Sequence, residues 1–378
     1  MIKIRLKRNL IYLLMLYVSF FIRKIVSLII DNIYSLNAPY LYLYMMTLGE
    51  ILGGTTIYLY HFANKRNKQE VKYFGIQLIH NAVTLQSPDG MLKKMLLIFF
   101  AGCFDIYEFI LLVFFVPKLA NISPTARTRL GCLATIISAL ICVYALGFKV
   151  ERHQKFALII LGACFVMTVI LEFIFKPDDQ PMGRFILAYF LVFLYLGFIP
   201  CNDCAERYLA YYDYLNPFFI LMSEGTLEFI LSIFYSINKD PFRGIINEYH
   251  QNDTGSFFAL IFLLIIYIFL SAVVNAYKVY CNVIYTPMAR TLAEYFLNPF
   301  FNIYYLLIEK DFHNNYIYFA ICEIICIIID FSFYIFNEYV ILSCCGLEFD
   351  TGDEIHRRAN NEEINALDEC EEDDTSTE

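Results

Sequence analysis

From Leu10 to Leu342 the chain is built of apolar runs, most of them about 20 residues long, the length an α-helix needs to cross the hydrocarbon of a bilayer. Few folds accept such runs. A backbone in hydrocarbon has no water to bond, so its N–H and C=O groups must be satisfied internally, as they are within helices of this length. Composition agrees: 59% of the residues are hydrophobic, 17% are charged and the mean hydropathy is +0.56, too apolar for a water-soluble domain. The reading is an all-α polytopic membrane protein.

By length, about ten spans are expected, near Leu10–Ile30, Tyr40–Phe62, Met95–Val116, Leu130–Phe148, Phe156–Phe175, Phe185–Ile199, Tyr214–Ile237, Phe257–Tyr280, Leu292–Ile308 and Tyr316–Leu342. The stretch KPDDQPMGR, residues 176–184, interrupts them with proline and charge and reads as a connection between halves 10–175 and 185–342. Residues 1–9 carry Lys3, Arg5, Lys7 and Arg8, and residues 343–378 are mostly polar and acidic, a tail expected to be disordered. Much of the net charge of -9 belongs to that tail. Lysine and arginine crowd the segments that lie inside if the N-terminus is cytosolic, so both termini are expected in the cytosol. The sequons at Asn121 and Asn252, candidates for glycosylation, then fall on outer loops. The expected location is the plasma membrane or an endomembrane of a eukaryotic cell.

Ionisable groups stranded in such spans are costly and are functional candidates by default. Glu50 lies in TLGEILGGTTIYLYHFANK, and Glu224 stands at the same distance from an Asn-Lys end in MSEGTLEFILSIFYSINK. Asp105 with Glu108, Glu224 with Glu228, and Glu323 with Asp330 each share a helix face by spacing. Paired carboxylates in a low dielectric cannot both ionise cheaply, so one of each pair is expected to hold a proton. Glu50, Glu224, Glu228, Asp105 and Glu108 are therefore the candidate substrate- or proton-binding residues, with Arg23 and Lys24 as charge partners. The competing reading is polar side chains bonded to neighbouring helices to specify packing, and Gly53-Gly54 also permits close helix contact.

A second internal match points the same way. Pro124-Thr125-Ala126-Arg127-Thr128 precedes the fourth span and Pro287-Met288-Ala289-Arg290-Thr291 the ninth, in the same phase that pairs Glu50 with Glu224. Halves with an odd number of spans must be inverted, as in secondary transporters whose site lies at the midplane. Leu-Asn-Pro-Phe-Phe also recurs, at Leu215 and Leu297, out of that phase; its prolines read as kinks or as sources of free backbone carbonyls.

The two inverted five-helix halves, the EILGG stretch of the second span and the repeated PxART together resemble the drug/metabolite transporter superfamily, which includes the nucleotide-sugar and triose-phosphate carriers. The resemblance implies alternating access by two rocking bundles around a central solute site. The chain differs in lacking a lysine-rich late span suited to a phosphorylated anion.

HExxH, GxSxG and P-loop motifs are absent, the six histidines are dispersed, and Cys201-x-x-Cys204 has no second pair to complete a metal site. No enzyme activity, metal or cofactor is expected. The alternatives are an intramembrane lipid-modifying enzyme and a non-transporting sensor or scaffold. Expected partners are the bilayer and a small solute, with a homodimer allowed and nucleic acid excluded.

Overall fold

The computed structural model describes residues 2–4, 10–34, 39–66, 91–119, 122, 124–175, 181–211, 213, 215–237, 241–251, 254–284, 287–293, 316–342, 347, 351 and 354. Helix α1 covers Leu10–Tyr34 and α2 covers Pro39–Arg66; α3, Met91–Ile110, continues through a π-helical turn, Leu111–Phe115, into the short α4, Val116–Leu119. Then come α5 (Pro124–Leu130), α6 (Cys132–Tyr144), α7 (Arg152–Ile174), α8 (Met182–Tyr211), α9 (Pro217–Ser236), α10 (Arg243–Gln251), α11 (Thr254–Ile284), α12 (Pro287–Ala293) and α13 (Tyr316–Phe336). Strands β1 (Ile2–Ile4) and β2 (Val340–Leu342) pair antiparallel, joining the segment before the first helix to the segment after the last one described.

Among the described residues, six helices are long and apolar enough to cross a bilayer: α1, α7, α8, α9, α11 and α13. Their outer faces carry the signature of lipid contact. Phe258, Phe262, Ile265 and Phe269 of α11 recur at helical spacing and are all exposed, as are Ile159, Val166 and Ile170 of α7. A face of this kind in water would drive association. By the length and composition of its helices the chain is an all-helical membrane protein.

The expected second and third spans are α2 and α3, whose polar and charged residues lower their hydropathy. The fourth is broken at Gly131 into α5 and α6, and α6 alone has 13 residues. Most of the expected ninth span, the sequons at Asn121 and Asn252, most of the inter-half connection and nearly all of the acidic tail lie outside the described residues. Asn216-Pro217 is neither a kink nor a freed carbonyl. Pro217 occupies the first turn of α9, where its missing N–H costs nothing, and the Asn216 side chain caps the helix by accepting from the Phe218 N–H at 2.9 Å.

Packing is organised around α2, which lies against α9 on one side and α11 on the other. Lipid gives little hydrophobic drive to helix association, so close approach of backbones has to supply contact energy. Glycines allow it here. A methyl group at Gly53 would sit 2.7 Å from the Ala272 carbonyl oxygen of α11, and one at Gly54 2.7 Å from the Met222 nitrogen of α9. In return, a methyl at Gly225 of α9 would sit 2.7 Å from Glu50 Cβ. Helix α1 packs on α11, α3 on α8 and α9, α6 on α7, α8 and α12, and α7 on α13.

Candidate acidic site at the helix seam

Glu50 is fixed by the close crossing of α2 with α9 and α11. It is 4% exposed, and its Oε1 accepts a hydrogen bond from Asn275 Nδ2 of α11 at 2.9 Å. Helix α9 brings Glu228, also 4% exposed, to the same place, and α3 brings Asp105. One carboxylate oxygen from each of Glu50, Asp105 and Glu228 lies within 4.8 Å of the others. Lys278 of α11 answers part of this charge, its Nζ lying 3.8 Å from Asp105 Oδ1. Glu224, one turn before Glu228, is 3% exposed, and Gly102 lets α3 approach its backbone, a methyl there standing 3.5 Å from the Glu224 carbonyl oxygen. The second oxygen of Glu50 and one oxygen of Glu224 meet no hydrogen-bond donor.

Of these acids, Asp105 and Glu228 line a cavity of about 360 Å³ between α1, α2, α3, α5, α8, α9, α11 and α12, whereas Glu50 and Glu224 are not in its lining. Asp105, Glu108 and Glu228 line it from one set of helices; Arg23, Arg127, Lys278 and Arg290 contribute cations. Tyr17, Phe20, Leu43, Phe109, Tyr195 and Val274 supply apolar wall. A space of this size, mostly apolar with a few placed charges, suits a small organic molecule. Three converging carboxylates can hold a cation or share protons; the surrounding guanidinium and ammonium groups can meet an anionic group.

The structure places Glu50, Glu228 and Asp105 together, with Glu224 one turn before Glu228 on α9. Glu108 and Arg23 line the adjoining cavity, the Arg23 guanidinium also lying 5.2 Å from the Phe20 ring, whereas Lys24 is not in the lining. Glu323 and Asp330 are on α13 and do not line the cavity either. Arg127 and Arg290, singled out only as letters of a repeated motif, both do.

Several polar residues escape a reading by spans. Asp203 and Glu206 lie past the expected end of the sixth span at Ile199, but α8 continues to Tyr211 and buries both. Arg290 forms an ion pair with Asp203, Asn282 Nδ2 donates to Glu206 Oε2 at 2.8 Å and to the Asp203 carbonyl oxygen at 3.0 Å, and Arg207 Nη1 donates to the Asn282 carbonyl oxygen at 2.9 Å. This network ties α8 to α11 and α12. A separate one ties α5, α7, α8 and α13: Glu172 accepts from Arg129 at 2.8 Å, from Tyr318 at 2.5 Å and from Tyr189 at 3.0 Å. Cys204 Sγ lies 3.9 Å from Cys142 Sγ of α6, and among the described residues the one convergent group of metal-binding side chains is Glu50, Asp105 and Glu228. No protein-family model matches the chain, and no curated protein sequence is significantly similar to it.

Proposed function

We propose that this chain is an alternating-access carrier of a small organic solute, built from two inverted halves, with the buried acids as its coupling element. One observation carries the reading: a cavity of about 360 Å³ bordered by ionisable side chains from helices on both sides of the inter-half connection. Packing, membrane anchoring or a surface scaffold requires no such space.

The helix contacts support the two-half arrangement. Exchanging α1 with α8, α2 with α9, α3 with α11, α6 with α12 and α7 with α13 maps α2–α9, α6–α12 and α7–α13 onto themselves, α2–α11 onto α9–α3 and α1–α11 onto α8–α3, whereas α6–α8 has no counterpart among the described residues. Matching Glu50 to Glu224 also matches Ile51 to Gly225, and these equivalent positions touch: a methyl at Gly225 would lie 3.1 Å from the Ile51 nitrogen. Contact between equivalent residues is expected on a two-fold axis. The β1–β2 pairing supports an even number of crossings, since it brings the two ends of the helical body to one side.

In this reading the halves rock about the α2–α9 seam. An uncompensated buried charge costs several kcal/mol, so loading or unloading a cation at the acids changes which packing of the seam is preferred, and the solute follows in the cavity alongside. The chain acts as a carrier and not as an enzyme. The test is uptake of a pooled small-metabolite mixture by proteoliposomes, read by mass spectrometry, beside the same mixture incubated with protein in detergent. Accumulation that needs a sealed compartment and is lost on Glu228→Gln supports the carrier; a product formed in detergent with no uptake overturns it.

A further inference from the structure

We propose that α10 lies in the plane of the membrane surface with one apolar face among the lipids at the headgroup boundary, an interfacial anchor between the spans α9 and α11. Its 9 residues cover about 14 Å, too little to cross hydrocarbon about 30 Å thick. Nor can it leave the surface, because residues 252 and 253 alone separate it from α11, a reach of about 11 Å. Its side chains sort by face. Phe242, just before the helix, and Ile246 and Tyr249 within it recur at helical spacing and are 50%, 54% and 62% exposed. Ile245 turns inward and packs against the cluster that holds Leu260 and Leu264 of α11. Arg243 and Asn247, also exposed, stand on another side of the helix. Large apolar groups on one face and polar groups on another are the pattern of a helix seated in a bilayer interface.

What covers this face follows from its neighbours. The Tyr249 ring lies 5.1 Å from that of Phe257, which lies 6.1 Å from that of Phe258, so the face runs into the exposed strip of α11 formed by Phe258, Phe262, Ile265 and Phe269. On its other side it follows Phe234 and Ile237, exposed at the end of α9. The strip on a spanning helix faces acyl chains, and its continuation at the end of the span meets the next layer outward, the headgroup boundary, where tyrosine is enriched. Phe242 also stacks on Tyr44 of α2 with ring centroids 5.8 Å apart, and the Tyr44 hydroxyl lies 2.5 Å from Ser236 Oγ of α9. The anchor is thereby tied to one end of the α2–α9 seam.

Such an anchor holds whether or not the chain carries a solute. The chain has no tryptophan, so one introduced residue reports its own surroundings. Full-length chain with Ile246→Trp, Tyr249→Trp, Asn247→Trp or Ile265→Trp is placed in phosphatidylcholine nanodiscs whose acyl chains bear bromine either near the headgroup or near the terminal methyl, with iodide as the aqueous quencher. Ile246→Trp and Tyr249→Trp should emit to the blue of Asn247→Trp and be quenched more by shallow than by deep bromine. Iodide should quench Asn247→Trp several-fold more than either. Ile265 lies about 17 Å along α11 from Thr254, so Ile265→Trp should be quenched more by deep bromine. Iodide quenching of Ile246→Trp and Tyr249→Trp equal to that of Asn247→Trp overturns the proposal. Protection of both from iodide and bromine alike also overturns it, since protein, from this chain or a second copy, would then cover the face. If Ile246→Trp lowers the thermal midpoint, the conservative Tyr249→Trp decides.

Discussion

Replacing Gly225 with alanine tests the seam where the acids meet. The added methyl would stand 2.7 Å from Glu50 Cβ, 3.1 Å from the Ile51 nitrogen and 3.3 Å from the Thr47 carbonyl oxygen. Carbon atoms rest comfortably at about 3.5–4.0 Å, so the shortfall is about 1 Å. Two of the three obstacles are backbone atoms, which cannot rotate aside, and α2 and α9 must therefore separate. Overpacking of this kind costs about 1–3 kcal/mol, and it also widens the gap across which Glu50 meets Glu228. Gly162 of α7 and Gly197 of α8 are the controls, since a methyl there meets nothing within 4 Å. Alanine at those sites should be neutral or stabilise by about 0.4–1 kcal/mol through the unfolded chain. The chain has no tryptophan, but buried thiols such as Cys132, Cys142 and Cys281 become reactive on unfolding, so a thiol-reactive fluorophore reports the thermal midpoint in detergent. If Gly225→Ala melts with Gly197→Ala rather than below it, the helices are not in the contact described.

Other perturbations probe separate parts of the structure. Glu172→Gln leaves the fully buried Arg129 without its counter-charge and should destabilise by about 3–5 kcal/mol, with Arg129→Met in the same chain recovering much of the loss; thermal midpoints of the single and double variants check this. Asn216→Ala removes the cap of α9 and should cost about 1 kcal/mol, with Asn216→Asp retaining most of it, by the same assay.

The membrane class and most helix positions are legible in the sequence because a span is a local property: length and hydropathy fix it without knowledge of neighbours. The acids are legible for the same reason, since Glu50, Glu224, Glu228 and Asp105 stand out against apolar surroundings wherever the helices are placed. What sits beside them is not. Lys278 lies at the end of its expected span, where lysine is ordinary, and only the packing of α11 against α2 turns it toward Asp105. Asp203 and Glu206 fall beyond the expected limit of their span because polarity signals a helix end, whereas Arg290 and Asn282 give those acids partners that let α8 run on buried. Asn216-Pro217 shows the converse: the dipeptide is conspicuous, but whether it kinks a helix or starts one depends on whether the preceding residues are helical, and they are not.

The central claim, that the cavity beside the acids opens alternately to the two sides of the membrane, is tested most directly by labelling. Cysteines introduced one at a time at Met46 and Ile199, which line the cavity from α2 and α8, are exposed to a membrane-impermeant thiol reagent in right-side-out and in inverted vesicles. The account predicts labelling of each position from both sides, with conditions that raise the rate on one side lowering it on the other. Labelling from one side alone under every condition would contradict it.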